Sequence, residues 1–268
     1  MARGKKQLEG QLTFEMCLNS ENYVCQANAL IGGRQALKLN SAKLIRTAIM
    51  QVVAEDKELK PYIITIAELA DLLNISASNM YRDIEEITND IISNPVYIKE
   101  ETPNKVRWIK IPWVTRCEYH SDIGVALKLN DELKPFLIDL KEHYTQYRLE
   151  NILAMKSIYA IRLFEMIQER IMIKGILPKE GIEIVISMEE IRECCDCKDK
   201  YKSFSNFKAR VIDVAENEIN RVTYYYLDHT YIKEGKRVVG LKFYFNTKLH
   251  IEGEPLIPEG AYIPKEYR

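Results

Sequence analysis

Between residues 203 and 220 the chain reads SFSNFKARVIDVAENEIN. Its apolar positions Phe204, Phe207, Val211, Val214, Ala215 and Ile219 recur at the three-and-four spacing of one helix face, which predicts a helix with a buried stripe. A serine at 203 or 205 can cap its start, because a hydroxyl there accepts a hydrogen bond from a free N–H of the first turn. Lys202, Ser205 and Asn206 project away from the stripe, and Lys208 and Arg210 flank it. The helix therefore has one oily side and a cationic, hydrogen-bonding front end.

The same alternation of patterns occurs twice along the chain. In the first half, SAKLIRTAIMQVV places Leu44, Ile45, Ala48, Ile49, Val52 and Val53 on one helical face, and YIITI follows as a β-prone run. TIAELADLLN reads as a brief helix with Thr65 and Glu68 at capping-box spacing. ISASNMYRDIEEITNDII is a third helix with Met80, Ile84, Ile87 and Ile91 inward, and VYIKE with KVRWIKI makes a hairpin around TPN. The second half repeats the order with SIYAIRLFEMIQERI, GIEIVIS, SMEEIRECC, the 203–220 helix, and a hairpin of VTYYYLDHTYI and KRVVGLKFYFN. That hairpin turns at KEGK, where Gly235 can take a positive φ.

Helix, strand, helix, helix, hairpin is the order of a winged helix-turn-helix. The expected fold class is α+β: two tandem winged-helix domains related by an internal pseudo-repeat. The expected boundaries are 1–141 for the first domain, 142–252 for the second and 253–268 for an irregular tail rich in Pro and Gly. PWVTRCEYHSDIGVALKLNDELKPFLIDL reads as extra strands and a short helix closing the first domain. In such a unit the first two helices bury the stripe of the third. Its N-terminus stays free to meet phosphate, and the wing reaches adjacent backbone.

Composition adjusts this picture only slightly. The chain has 268 residues, 47% of them hydrophobic and 29% charged, and a net charge of −1. No apolar run approaches the ~18–20 residues that span a bilayer, and the first residues lack the apolar core of a signal peptide. A cytoplasmic protein with no membrane association is expected. Near-neutrality excludes a protein coated in basic residues but not a local basic patch. KDKYKSFSNFKAR at 198–210 is such a patch, with five cations against Asp199 alone. Of six cysteines, Cys194, Cys195 and Cys197 crowd into ECCDCKDK, three sulfurs without the second pair that a zinc site needs, so reduced structural thiols are expected.

The sequence resembles the replication initiator (Rep) proteins of theta-replicating, iteron-carrying plasmids over about residues 25–250. The likeness is carried by PWVTRCEYHSDIGVALKLNDELKPFLIDL, HYTQYRLENI, SIYAIRLFEMIQ, FSNFKARVIDVAENEIN and GKRVVGLKFYF. The resemblance implies two winged-helix domains that bind double-stranded DNA at repeated origin sequences, help open the origin and recruit a host helicase or helicase loader. It also implies a monomer–dimer equilibrium, with the dimer repressing its own promoter and the first domain, over 96–129, supplying the dimer surface. The implied main reader of the duplex is the third helix of the second domain, at Lys202, Ser203, Ser205, Asn206, Lys208 and Arg210. Ala209 interrupts the basic run common in that family's helix. The alternative is a winged-helix transcription regulator with no role in replication.

The first domain offers a weaker counterpart. Ser78, Asn79 and Arg82 face outward in its third helix, but Asp83, Glu85, Glu86 and Asp90 follow and would repel phosphates, so only the tip is expected to enter a groove. Lys105 and Arg107 in the first hairpin and Lys233, Lys236 and Arg237 in the second are the candidate phosphate contacts. Arg162, on the long helix, is expected to be structural. No catalytic residue, metal or cofactor is expected: there is no GxxxxGK[ST] loop for ATP, and His120, His143, His229 and His250 stand alone rather than in a metal-binding pair.

Overall fold

The computed structural model describes residues 23–53, 56–73, 76, 79–102, 105–138, 140–174 and 181–248. Strand β1 (Tyr23–Ala27) leads into a short helix α1 (Asn28–Gly32) and then α2 (Leu39–Met50). Strand β2 (Pro61–Thr65) turns directly into α3 (Ile66–Leu73) through the capping box read from sequence. The Glu68 N–H donates to Thr65 Oγ1 at 3.4 Å, while the Glu68 carboxylate receives the Thr65 N–H. Helix α4 (Met80–Ser93) buries the predicted stripe, Met80, Ile84, Ile87 and Ile91. Each such side chain contributes roughly 1.5–3 kcal/mol when taken out of water.

Strands β3 (Val96–Thr102) and β4 (Lys105–Ile111) form an antiparallel ribbon, followed by β5 (Val114–His120) and β6 (Gly124–Leu129). A 3-10 turn over Asp131–Leu133 precedes α5 (Lys134–Leu137), and β7 (Tyr144–Arg148) pairs back with β1 across more than a hundred residues. Helix α6 (Glu150–Leu153) connects to the long α7 (Ile158–Lys174). In the second half β8 (Ile182–Ser187) turns into α8 (Met188–Cys194), capped by Ser187 Oγ, which accepts the Glu190 N–H at 3.1 Å.

Helix α9 starts as Phe204–Phe207, passes through a π-helical turn over Lys208–Ile212, and continues as Asp213–Val222. Strands β9 (Tyr225–Glu234) and β10 (Arg237–Thr247) complete the unit. Tyr224 and Tyr225 are both buried and Tyr226 is half-buried, so none of the three tyrosines is fully exposed.

Topology revises one expectation. In the second half the hairpin's return strand pairs with the leading strand, giving the order β8-β10-β9. The matching sheet in the first half is β2-β6-β5, whereas β3 and β4 form a separate two-stranded sheet with an isolated bridge from Tyr97 to Arg34. The strand pair equivalent to the second wing is therefore β5–β6, and the hairpin carrying Lys105 and Arg107 is a separate ribbon inserted before it. The wing position of the first half has its turn at His120–Gly124, where no Lys or Arg stands.

Among the described residues one contiguous apolar core runs through both halves. At its centre lies a buried polar group. Glu165 of α7 accepts from Arg46 of α2 at 3.0 Å through each oxygen, from Gln26 at 3.2 Å and from Tyr147 at 2.5 Å. Arg162, fully buried as its structural assignment requires, donates to Glu165 at 2.6 Å, to the carbonyls of Ile31 and Gly33 at 2.5 and 2.9 Å, and to Cys194 O at 3.2 Å. The GG pair at 32–33 is thus the seat of a second-half arginine. Charged groups tolerate such burial when paired and hydrogen-bonded, and among these guanidinium nitrogens Arg46 Nη1 is left without a partner.

Candidate nucleic-acid interface

The site is built on the front end of α9 and on the loop leading into it. Ser203 is the cap: its Oγ accepts the Asn206 N–H at 3.3 Å. Phe207 and Val211 are wholly buried and Phe204 packs edge-on against Tyr231, ring centroids 5.6 Å apart, so the apolar side anchors the helix as its spacing requires. Ser205, Asn206, Ala209 and Arg210 are exposed on the opposite side. The π-turn over Lys208–Ile212 widens the helix just where its cationic flank begins, and such turns recur at functional sites.

The two flanking cations differ. Lys208 reaches Asp213 at 2.6 Å, and the hydrogen bond to that carboxylate raises its affinity for the proton. Among the described residues Arg210 makes no such pair: its guanidinium sits 5.9 Å from the ring of Tyr201, oriented by an aromatic face rather than held by an acid. Asp213 is half-buried and turned to Lys208.

The loop 195–203 takes its shape from Arg192, a residue that sequence reasoning did not single out. Its guanidinium lies 4.0 Å from the ring centroid of Phe207 and donates to Cys197 O at 3.2 Å, Lys200 O at 3.0 Å and Tyr201 O at 3.0 Å. This planar fork of donors gathers carbonyls that have no strand or helix partner. Asp196 and Tyr201 adopt left-handed conformations, φ 50° and 51°, which non-glycine residues take only where surroundings hold them. Within the loop Lys200 pairs with Asp196 at 2.9 Å and Lys198 with Glu193 at 3.4 Å.

Lys202 and the second wing converge. A surface groove of about 680 Å³ is lined by Arg192, Lys198, Lys202 and Phe204 together with Lys236 and Arg237 of the wing, five cations beside the single acid Glu189. Gly235, with φ 59°, makes the tight turn that brings those wing residues round. Lys233 stands on the same wing, its ammonium 5.9 Å from the ring of Tyr231. Sequence spacing alone could not bring residues 192–204 against residues 236–237; the sheet register does.

The first half holds its candidates differently. Ser78 lies outside the described residues. Asn79 is exposed at the start of α4 and its side chain makes no capping bond. Arg82 pairs with Asp83 at 3.1 Å, Glu86 pairs with Lys38 at 2.7 Å, and Asp90 accepts the Lys38 N–H at 2.9 Å. Lys105 and Arg107 sit exposed at the far end of the β3–β4 ribbon, remote in topology from the strand pair that occupies the wing position.

Two further features bear on the chemistry. Cys194, Cys195 and Cys197 are buried free thiols, and burial pushes the Cys194 thiol up to about 11, which disfavours its thiolate near neutrality. His229, read as standing alone, does not: its Nδ1 contacts the Glu216 carboxylate, and the ligand atoms of Glu216, Asp228 and His229 lie within 4.8 Å of one another. The pairing joins α9 to β9, residues 13 apart in sequence that no histidine-pair motif would flag.

Two winged-helix halves in tandem, the second with a cation-lined groove between helix and wing, define a tandem winged-helix protein. The chain belongs to the initiator Rep protein family: the descriptions "Initiator Replication protein, WH1" and "Initiator Rep protein, WH2" match residues 23–168 and 187–245. It is similar to a replication initiation protein of Escherichia coli, 25% identical over 206 residues, which cover 75% of this chain and 63% of that protein. The chain therefore spans less than two thirds of that relative's length. It is also similar in fold to the Pi initiator protein solved in complex with iteron DNA, with a TM-score of 0.68 and 20% identity over 86% of this chain and 99% of that one.

Proposed function

We propose that this chain initiates plasmid DNA replication by binding repeated origin sequences through both winged-helix domains. In this reading the second domain, 142–252, supplies the main contact and the first, 1–141, an auxiliary contact and the dimer surface. The bound protein helps open the origin and recruits the host helicase or its loader. The dimer represses its own promoter. The protein works in the cytoplasm and performs no chemical step; among the described residues no helix is long and apolar enough to cross a membrane.

The observation that carries the reading is the exposed face of α9, with Ser205, Asn206 and Arg210 open beside a groove shared by Lys202, Lys236 and Arg237. Arginine pairs bidentately with guanine and asparagine with adenine in the major groove, and the lysines neutralise phosphate. The family membership supports the reading, as does the iteron DNA held by the Pi initiator. In the first domain Arg82 is tied to Asp83 among further acids, so only the tip at Ser78 and Asn79 makes the auxiliary contact.

Footprinting on the DNA flanking its gene tests this. Protection of direct repeats spaced by about two helical turns, roughly 20 base pairs, is the expected result. A single protected palindrome at a promoter would instead mark a transcription regulator, and featureless protection would remove sequence-specific binding altogether.

A further inference from the structure

The β3–β4 ribbon carries an aromatic surface whose residues do not line the groove beside α9. Cross-strand register sorts its residues into two rows. Val96, Ile98 and Ile111 form the inner row and are buried, and backbone hydrogen bonds between Tyr97 and Arg34, at 2.8 and 3.0 Å, tie β3 to the segment after α1. The outer row contains Tyr97 opposite Lys110 and Trp108 opposite Lys99. The rings of Tyr97 and Trp108 are stacked, centroids 5.8 Å apart and 25° between planes. Lys110 Nζ lies 5.4 Å from the Trp108 ring and 6.0 Å from Tyr97, and the Arg34 guanidinium lies 5.0 Å from Tyr97. Trp108 nonetheless keeps 56% of its surface in solvent, as does Val106 beside it.

We propose that this face is a stacking platform for single-stranded DNA. The inference rests on the initiator reading for the source of the strand, because origin opening exposes unpaired bases. An exposed indole stacked on a second ring offers a flat π-surface, and every base has a π-face to lay on it. In a duplex those faces are occupied by neighbouring bases, so the platform selects unpaired strand over paired. Lys110 adds positive charge at the rim, where a backbone phosphate gains from it and an apolar protein surface would have to strip its water, while Arg34, 3.6 Å from Asp196, braces the Tyr97 ring. Strand pairing between two copies would use the free edge of β4 rather than this face.

The chain has two tryptophans, and Trp113 is fully buried, so the exposed fluorophore is Trp108. The full chain is titrated with a thymidine oligonucleotide, and separately with a duplex of the footprinted repeat. Saturable quenching by the oligonucleotide is expected. Trp108→Ala should weaken single-strand affinity by about ten- to a hundred-fold, the scale of one stacked base. Trp108→Leu, which keeps an apolar group, should lose nearly as much, while Trp108→Phe should keep most of the affinity. Duplex affinity should stay unchanged, so failure here leaves the duplex reading standing. Unquenched fluorescence, or single-strand affinity unaltered in Trp108→Leu, overturns the proposal. So does an equal loss for duplex, which would make the face part of the duplex interface. A shift in sedimentation with oligonucleotide binding intact would give the face to a second copy.

Discussion

A few side chains decide whether α9 can meet a duplex. Ser203 terminates the helix at the point where Lys202 and Asn206 must be presented, and its hydroxyl satisfies the Asn206 N–H. Replacing it with alanine leaves that donor to water and frees the first turn to fray. Ser203→Ala is expected to cost about 1 kcal/mol, within the ~0.5–2 range for cap removal, read as a lowered urea midpoint at unchanged slope. Asn206 was legible as an outward position and Arg210 as a flanking one because helical periodicity assigns faces without tertiary knowledge. Arg192 was not, since its partners are three loop carbonyls and the ring of Phe207, and no spacing rule encodes a residue that shapes an irregular loop.

At the level of elements the two halves are alike in order and unlike in charge. The second wing carries Lys233, Lys236 and Arg237 around its turn, while the strand pair in the same position of the first half turns at His120–Gly124 without a Lys or Arg. Neutralising Lys236 or Arg237 should lower the salt slope of duplex binding by about one unit each, leaving sequence preference unchanged. Substituting Ser121 in the other turn should leave the slope as it was. A slope unmoved by Lys236→Gln and Arg237→Gln would remove the second wing from the interface. Each hairpin was legible from its own alternation and turn residues. Which hairpin closes on β2 was not, because the pairing of Pro61–Thr65 with Gly124–Lys128 is long-range and the intervening ribbon matches the same local pattern.

The whole molecule is held by charge as well as by its core. Burial alone would raise the Glu165 carboxyl, but Arg46 and Arg162, with their hydrogen bonds, outweigh it and hold it at about 2, below its ordinary 4.5. A carboxyl depressed on folding contributes stability that is complete above its unfolded value and fades as pH falls toward the folded one. Stability should therefore drop between about pH 4.5 and pH 2. Glu165→Gln, which leaves two buried arginines without their counter-ion, should cost about 3–5 kcal/mol at pH 7 and flatten that acid limb. Urea unfolding of both proteins at pH 7 and pH 3 checks this, and a parallel pH response in the variant would contradict it. Arg162 could be recognised as structural from its place on an apolar helix. Its partners Ile31, Gly33 and Cys194 could not, because they meet only when β1, α1 and α8 are assembled around α7.

The proposed function depends on the second domain's helix dominating the contact. Equilibrium titrations of one repeat-bearing duplex with Lys202→Ala, Arg210→Ala and Arg82→Ala compare the two candidate helices directly. Lys202 lines the groove and Arg210 is exposed on α9, whereas Arg82 is already engaged by Asp83. The account predicts that the first two weaken binding by about ten-fold or more each, within the ~1–3 kcal/mol of a good base contact, and that Arg82→Ala changes it little. A large loss from Arg82→Ala, with Lys202→Ala and Arg210→Ala binding like the unaltered protein, would contradict it.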